Sequence, residues 1–537
     1  MTKEYEYIIV GSGVAGSTVA KRLLEHDRNT SILMLEAGPE VVAKNRRSWW
    51  DYVVRAHGKE HKSYDYTCDQ KGDSTSSGNT KFLVEGSRVM LYGGSTVHWG
   101  GWCLRYKPED FLLETNTGGG GDWPMPYADV AKYYPEAEEH LSVCGDHTEP
   151  WNVAMMGDQT YPRPPFRWTA ADGEMIEAFE QNGIVPGKMP MARYRKCMTT
   201  GTCKYCPIGA RFSGQLVLDE LRSDPRHRYL DIKTNAPVTR VSLASKSRIS
   251  GVEYLGPRTG DKVSAHGGTV IVCSGAYESP KLLMLSRSSE WEQGIGNDHD
   301  NLGRYLVSHS IIKVRGRRDD NPENWFQEYD FPTLMSRTYD TPEEQANNKI
   351  FMFKNRALPN FDFAQHMIDG LTREQIDAKW RASRDQELQA FMEEWGQRDN
   401  RIELARGRNR FGLPKMKAHF DRSDRANANG KRWLELMEKV VLDMGYRTKN
   451  SKPDAPDAGE LTFEIQDPGG HHATGTCRMA KTPEKGVTDA DMRVFGTNNL
   501  YVCSNAAFPT GAAVNPTLTL TAMAFRLGDH LIAQRAR

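Results

Sequence analysis

The chain opens with a short polar stretch and then changes character in a fixed rhythm. An apolar run over residues 7–10 leads into Gly11, Ser12, Gly13, Val14, Ala15 and Gly16. A stretch with helical spacing follows to about Glu25, and a second apolar run over residues 31–35 ends at Glu36. Strand, glycine turn, helix and strand make a βαβ unit, and an acid twenty positions past the last glycine completes a dinucleotide-binding pattern. The glycines permit a tight turn and close backbone approach, so a pyrophosphate can rest on the helix N-terminus. Glu36 would then hold the ribose hydroxyls of an adenosine. This pattern alone does not choose between NAD and FAD.

Later segments carry weaker periodicities. "GDWPMPYADVAKYYPEAEEHLSV" predicts a turn and an amphipathic helix, "GLPKMKAHFDRSD" a strand leaving a turn, and "ANGKRWLELMEKVVLDMGY" a helix. Residues 341–408 are rich in Glu, Lys, Arg and Gln, and "REQIDAKWRASRDQELQAFMEEW" predicts a solvated helical insertion or subunit contact. Residues 500–525 carry no charge, but Ser504, Asn505, Pro509, Gly511, Asn515 and Pro516 make poor material for a membrane span. The expectation is a buried segment of the active site.

A length of 537 residues calls for two or more domains. Lys plus Arg and Asp plus Glu both number 70, so no overall field attracts nucleic acid or an anionic membrane, and neither partner is expected. No transmembrane segment and no secretion signal ahead of the first strand are expected. Cytoplasmic residence and export alongside a signal-bearing partner both stay open. Nine cysteines without regular spacing do not suggest a disulfide-stapled fold.

"YGGSTVHWGG" (92–101), "VIVCSGAYESPKLLMLS" (270–286), "NLGRYLVSH" (301–309), "HHATGTCRM" (471–479) and "NPTLTLTAMAF" (515–525) occur in the order found in glucose-methanol-choline (GMC) oxidoreductases, which the chain resembles over nearly its whole length. The resemblance implies an α/β fold with a Rossmann-like FAD-binding domain and an interleaved substrate-binding domain of antiparallel sheet and helices. It implies a discontinuous FAD domain, residues 1–110, 215–315 and 462–537, with 111–214 and 316–461 forming the substrate domain. It also implies FAD as cofactor and oxidation of an alcohol carbon. In the pattern H-x-x-G-T the histidine is the base, here His472, and its partner falls on Asn515. Such chemistry needs a base for the hydroxyl proton and an acceptor for two electrons. Asn followed by Pro is also a good helix N-cap, so Asn515 can serve both purposes, and the last helix is expected over residues 516 to about 534.

The resemblance places further cofactor contacts at Gly93 and Gly94, at Val238 in "NAPVTRV", and at Asn505 and Ala506 in "VCSNAAFPTG". His98 occupies the position that carries a covalent flavin bond in choline oxidase and pyranose oxidase. "HW" recurs in sugar dehydrogenases without that bond being assured, so both forms stay open for His98.

"KCMTTGTCKYCPIGAR" (196–211) puts Cys197, Cys203 and Cys206 within ten residues. An oxidase passes electrons straight to oxygen, whereas a dehydrogenase feeding a one-electron carrier gains from a relay, and cysteine thiolates at short spacing hold iron–sulfur clusters. "CPIGAR" resembles the branch of FAD-dependent glucose dehydrogenase, gluconate 2-dehydrogenase and glucoside 3-dehydrogenase, which carries a three-cysteine [3Fe-4S] cluster. The spacing departs by one residue between the last two cysteines. A Cys203–Cys206 redox pair, zinc with a distant fourth ligand and unligated thiols remain alternatives. The reading is an FAD-dependent, glucoside 3-dehydrogenase-like enzyme acting on a secondary hydroxyl of a sugar or glycoside. It would work with a small accessory subunit and a haem or quinone acceptor. The alternatives are an oxygen-dependent oxidase of the pyranose or C-glycoside 3-oxidase type, and a non-catalytic flavin-bound subunit.

Overall fold

Strand Glu4–Val10, helix Val14–His26 and strand Ile32–Leu35 form as the opening pattern predicts. The computed structural model that contains them describes residues 4–40, 72–82, 84, 87–193, 197, 208–321, 329, 331–355 and 363–535. Residues 7–10 of the first strand and all four of the second are apolar and buried, as parallel strands covered on two faces must be.

They sit in a sheet of the order Leu230–Lys233, Ile32–Leu35, Glu4–Val10, Lys262–Val272. These pair in parallel, and Leu500–Val502 adds a further parallel strand beside the end of Lys262–Val272. The other half of Lys262–Val272 pairs antiparallel with Arg248–Leu255, which in turn pairs with Val238–Ser245. One long strand therefore belongs to a doubly wound parallel sheet at its C-terminal end and to a meander at its start. Helix Thr517–Arg535 closes the chain against Val14–His26, close to the expected span.

A second sheet is antiparallel and six-stranded, in the order Phe463–Gln466, Ser310–Arg318, Arg384–Met392, Ile350–Lys354, Leu334–Ser336, Gly187–Lys188. Its residues alternate faces with period two. Ile312, Val314, Leu388, Ala390 and Met392 pack on Trp433, Met437 and Val441 of helix Asp424–Asp443. Ser423 caps that helix, accepting from the Ala426 N–H at 3.2 Å. Phe351, Phe353 and Phe391 point the other way, toward the first sheet. Ser310–Arg318 and Phe463–Gln466, read from sequence as mainly part of the cofactor-binding pieces, pair in this second sheet.

One expectation is overturned. The 373–395 stretch is a helix only over Arg373–Ala382, and Arg384–Met392 is a buried strand inside the second sheet. Its charged residues are hidden with their partners: Asp385 accepts from Arg315 and Arg317, and Arg384 pairs with Glu174 and Tyr446. The predicted amphipathic helix after Gly121 is likewise split, into Tyr127–Ala131 and Tyr134–Leu141. The uncharged C-terminal segment is buried: Ala512, Ala513, Val514, Leu518 and Ala522 are at or below 1% exposed. Among the described residues no helix is long and apolar enough to cross a membrane.

Candidate active site

A cavity of about 500 Å³ runs from Glu36, along the Gly11–Gly13 turn, past His98, to His472 and Asn515. At its first end two glycine turns meet. Gly11 has φ +106°, and a Cβ there would lie 2.7 Å from the Cys273 carbonyl oxygen. Gly94 has φ +59°, and its Cβ would lie 2.7 Å from the Gly13 Cα. Only residues without a side chain allow this approach. Gly16 and Gly93 stand behind the wall: Gly16 faces the Gly11 carbonyl and Ile9, and the Gly93 N–H donates to Ser12 Oγ at 3.0 Å.

Glu36 is buried and accepts from Ser12 N–H at 3.0 Å, Ser12 Oγ at 2.7 Å and Gly38 N–H at 2.9 Å. Burial pushes its carboxyl pKa up, against the pull of these donors. Val238, Asn505 and half-buried His98 line the cavity. Ala506 does not reach it; fully buried, it offers its carbonyl to the Cys477 N–H at 2.7 Å. Among the described residues, Asn505 Oδ1 and Asn515 Oδ1 are buried without a hydrogen-bond partner. A cradle bare of Cβ atoms, a buried acid at one end and unused buried polar atoms along the wall together fit a dinucleotide.

At the other end, the chain is stitched so that three polar side chains converge. Val307 and Thr474 exchange backbone bonds at 3.2 and 2.8 Å, and Ser308 Oγ donates to the Gly469 carbonyl at 2.6 Å. This brings His309 beside His472, with their Nδ1 atoms 3.0 Å apart. Asn515 Nδ2 donates to His472 Nε2 at 3.0 Å. Phe391 stacks on His309 at 5.2 Å and meets His472 edge-on at 5.1 Å. Burial lowers the His472 pKa well below the ordinary value, and proximity to His309 and His471 lowers it further. His472 is therefore neutral at neutral pH and can accept a proton. Ile311, Asn409, Phe411 and Leu413 also line the cavity.

His472 and Asn515 are thus brought together as expected. His309 and Phe391 were not picked out from sequence. The signal for His309 was present, since it ends "NLGRYLVSH", but nothing in that string shows what it meets. Phe391 lies in the stretch misread as helix.

Cys197 is half-buried against the core, near Cys144, which itself neighbours Cys103. Burial pushes the pKa of both Cys103 and Cys144 up, so these thiols stay protonated. Cys203 and Cys206 lie outside the described residues. Among the described residues, no three His, Cys, Asp or Glu side chains are placed to hold a metal ion.

Comparison with known proteins finds relatives over the whole chain. Two family models described as GMC oxidoreductase match residues 5–311 and 396–524. The chain is 24% identical over 560 residues to the fructose dehydrogenase large subunit of Gluconobacter japonicus, covering 99% of this chain and 98% of that protein. It is 25% identical over 566 residues to C-glycoside 3-oxidase of Microbacterium trichothecenolyticum, covering 98% and 96%. A solved structure of Aspergillus oryzae formate oxidase, concerned with modification of its FAD, superposes with a TM-score of 0.66 at 14% identity, over 100% of this chain and 99% of that one.

Proposed function

The chain belongs to the GMC oxidoreductase family, and from that premise we propose that it is an FAD-dependent dehydrogenase oxidising a secondary hydroxyl of a sugar or glycoside. The observation that carries the reading is the single cavity joining the Glu36 end to the His472–Asn515 pair. Gly11, Gly13, Glu36, Gly94, His98, Val238 and Asn505 would hold the FAD, backed by Gly16, Gly93 and Ala506. When bound, FAD supplies the two-electron acceptor for the substrate carbon. His472 Nε2 takes the hydroxyl proton, and Asn515 Nδ2 donates to the substrate oxygen as charge builds there. The N-terminal turn of Thr517–Arg535 borders the cavity and adds positive potential. In this arrangement the first sheet serves the cofactor and the second roofs the substrate. The fructose and glycoside relatives support a sugar donor.

In the same proposal, Cys197, Cys203 and Cys206 would hold a [3Fe-4S] cluster, which would supply an electron exit toward a haem or quinone acceptor. A relative named as a large subunit supports a small accessory partner. A second reading, an oxygen-using sugar oxidase, is favoured by the C-glycoside 3-oxidase relative at similar identity. Anaerobically purified protein should contain iron and acid-labile sulfide in the proportion of a [3Fe-4S] centre, with a matching EPR signal when oxidised. Full flavin occupancy without iron, together with stoichiometric hydrogen peroxide, would replace the dehydrogenase by the oxidase. His472→Ala should lower turnover about 10²–10⁴-fold. Unchanged turnover would remove His472 as the base, whereas wild-type protein that binds flavin but turns over no sugar would leave a non-catalytic flavin subunit.

A further inference from the structure

His309 offers both ring nitrogens to fixed partners. Its Nε2 lies 3.1 Å from the Gly511 carbonyl oxygen and 3.1 Å from the Ala512 carbonyl oxygen. Carbonyls only accept, so Nε2 must carry the hydrogen, and Nδ1 of the neutral ring is then a lone pair. That lone pair faces His472 Nδ1 at 3.0 Å. His472 must therefore carry its hydrogen on Nδ1, which leaves Nε2 bare. Asn515 Nδ2 donates to that bare nitrogen at 3.0 Å. The opposite tautomer would set two lone pairs against each other at Nδ1 and two N–H groups against each other at Nε2. It loses both hydrogen bonds.

The surroundings hold this order in place. Ala512 adopts φ +52°, a left-handed conformation that is strained for a non-glycine residue. That strain sits where two successive carbonyls converge on one imidazole. Tyr106 donates its hydroxyl to the same Gly511 carbonyl at 2.9 Å, which fixes the peptide further. Phe391 lies nearly parallel to the His309 ring, at 17°. His309 is 2% exposed, and burial lowers its pKa to about 4, so it stays neutral while it performs this role. The charged and titratable groups near the pair are Asp340, which favours the His309 cation, and His471, which disfavours the His472 cation.

We propose that His309 is a positioning residue that selects the Nδ1–H tautomer of His472, so that Nε2 is always the nitrogen presented to the substrate hydroxyl. The inference rests on the reading of His472 as the base. When Nε2 takes the proton, the Nδ1–H bond to His309 persists, so the ring does not need to turn during turnover. Sequence alone cannot show this, because the deciding partners are backbone carbonyls.

The test uses the flavin-loaded full chain labelled with ¹⁵N-histidine, with the His472 signals assigned by their loss in His472→Gln. The expected wild-type result at neutral pH is a protonated Nδ1 and an unprotonated Nε2 for His472. A protonated Nε2 overturns the proposal. His309→Leu should lower kcat about 100-fold with little change in KM and should mix the two His472 tautomers. His309→Gln, whose amide can donate to the carbonyls and accept from His472, should recover kcat to within about tenfold. If both variants lose activity equally while the His472 tautomer is unchanged, His309 is structural and the proposal fails. Should His309→Leu not fold, the wild-type spectrum and the Gln variant still decide. His472→Ala separates the two readings, since unchanged turnover there removes the base assignment while the tautomer measurement stands by itself.

Discussion

Asn515 Nδ2 donates to His472 Nε2, so in the proposed mechanism its chemistry acts directly on the base. Burial, followed by the neighbouring histidines His309 and His471, holds the His472 pKa well below the ordinary value. The base is needed neutral, so activity is lost as pH falls through that lowered pKa and not at the value of a free histidine. The acid limb of kcat/KM should therefore lie below about pH 6.5 in the wild type. Asn515→Asp places a carboxylate about a hydrogen bond away and favours the imidazolium. The limb should move upward by at least one pH unit or about tenfold in proton concentration. The variant should then be poor at neutral pH and recover as pH rises. A limb that stays in place would mean that Asn515 and His472 do not touch in solution. His472 and Asn515 were legible in the sequence because each falls in an ordered motif, whereas His309 was hidden by acting through the peptides at 511 and 512.

At the scale of elements, legibility followed how each strand pays its desolvation cost. Glu4–Val10 and Ile32–Leu35 bury apolar side chains, and an apolar run is what sequence reading detects. Arg384–Met392 opens with Arg384, Asp385, Gln386 and Glu387, all buried, and so reads as a solvated helix. Its strand identity rests on partners brought from elsewhere. Asp385 faces Arg317 across the ladder and accepts from Arg317 Nε at 2.6 Å and from Arg315 Nε at 2.9 Å. Along the same face, the strand passes from these ion pairs to Phe391 at the active site. Asp385→Ala should leave two guanidinium groups short of a partner and cost roughly 2–3 kcal/mol in denaturant unfolding. Because Phe391 rides on the same strand, kcat should fall as well. A loss of stability with kcat intact would show that the ionic end and the aromatic end of the strand are uncoupled.

At the scale of the whole molecule, a buried ionic cluster ties the ends of second-sheet strands to the turn at Pro108–Phe111. Glu109, Asp110, Asp340 and Glu393 meet Lys107, Arg337 and Lys349, four acids against three bases. Lys349 bonds Asp110 and lies 2.9 Å from Asp340, and Arg337 lies 2.6 Å from Asp340. Among the described residues, both Glu393 carboxyl oxygens are buried without a hydrogen-bond partner, which marks it as the acid left over. Burial pushes its pKa up to about 8; Lys349 lowers it, but Asp110, Asp340 and Glu109 raise it. The folded chain therefore keeps a proton that the unfolded chain releases above the ordinary carboxylate range. Stability from this group is complete below about pH 4.5 and is lost as pH rises through about 8. Glu393→Gln removes the titration while keeping the shape. Its thermal midpoint should match the wild type near pH 5 and exceed it by several degrees near pH 9, measured on the flavin-loaded protein. The opposite trend, with Gln worse at high pH, would mean that Glu393 is ionised and that Lys349 is shared among all four acids. Tyr106 ties the outcome to the active site, since it lies near Asp110 and Glu393 while its hydroxyl holds the Gly511 carbonyl that His309 uses.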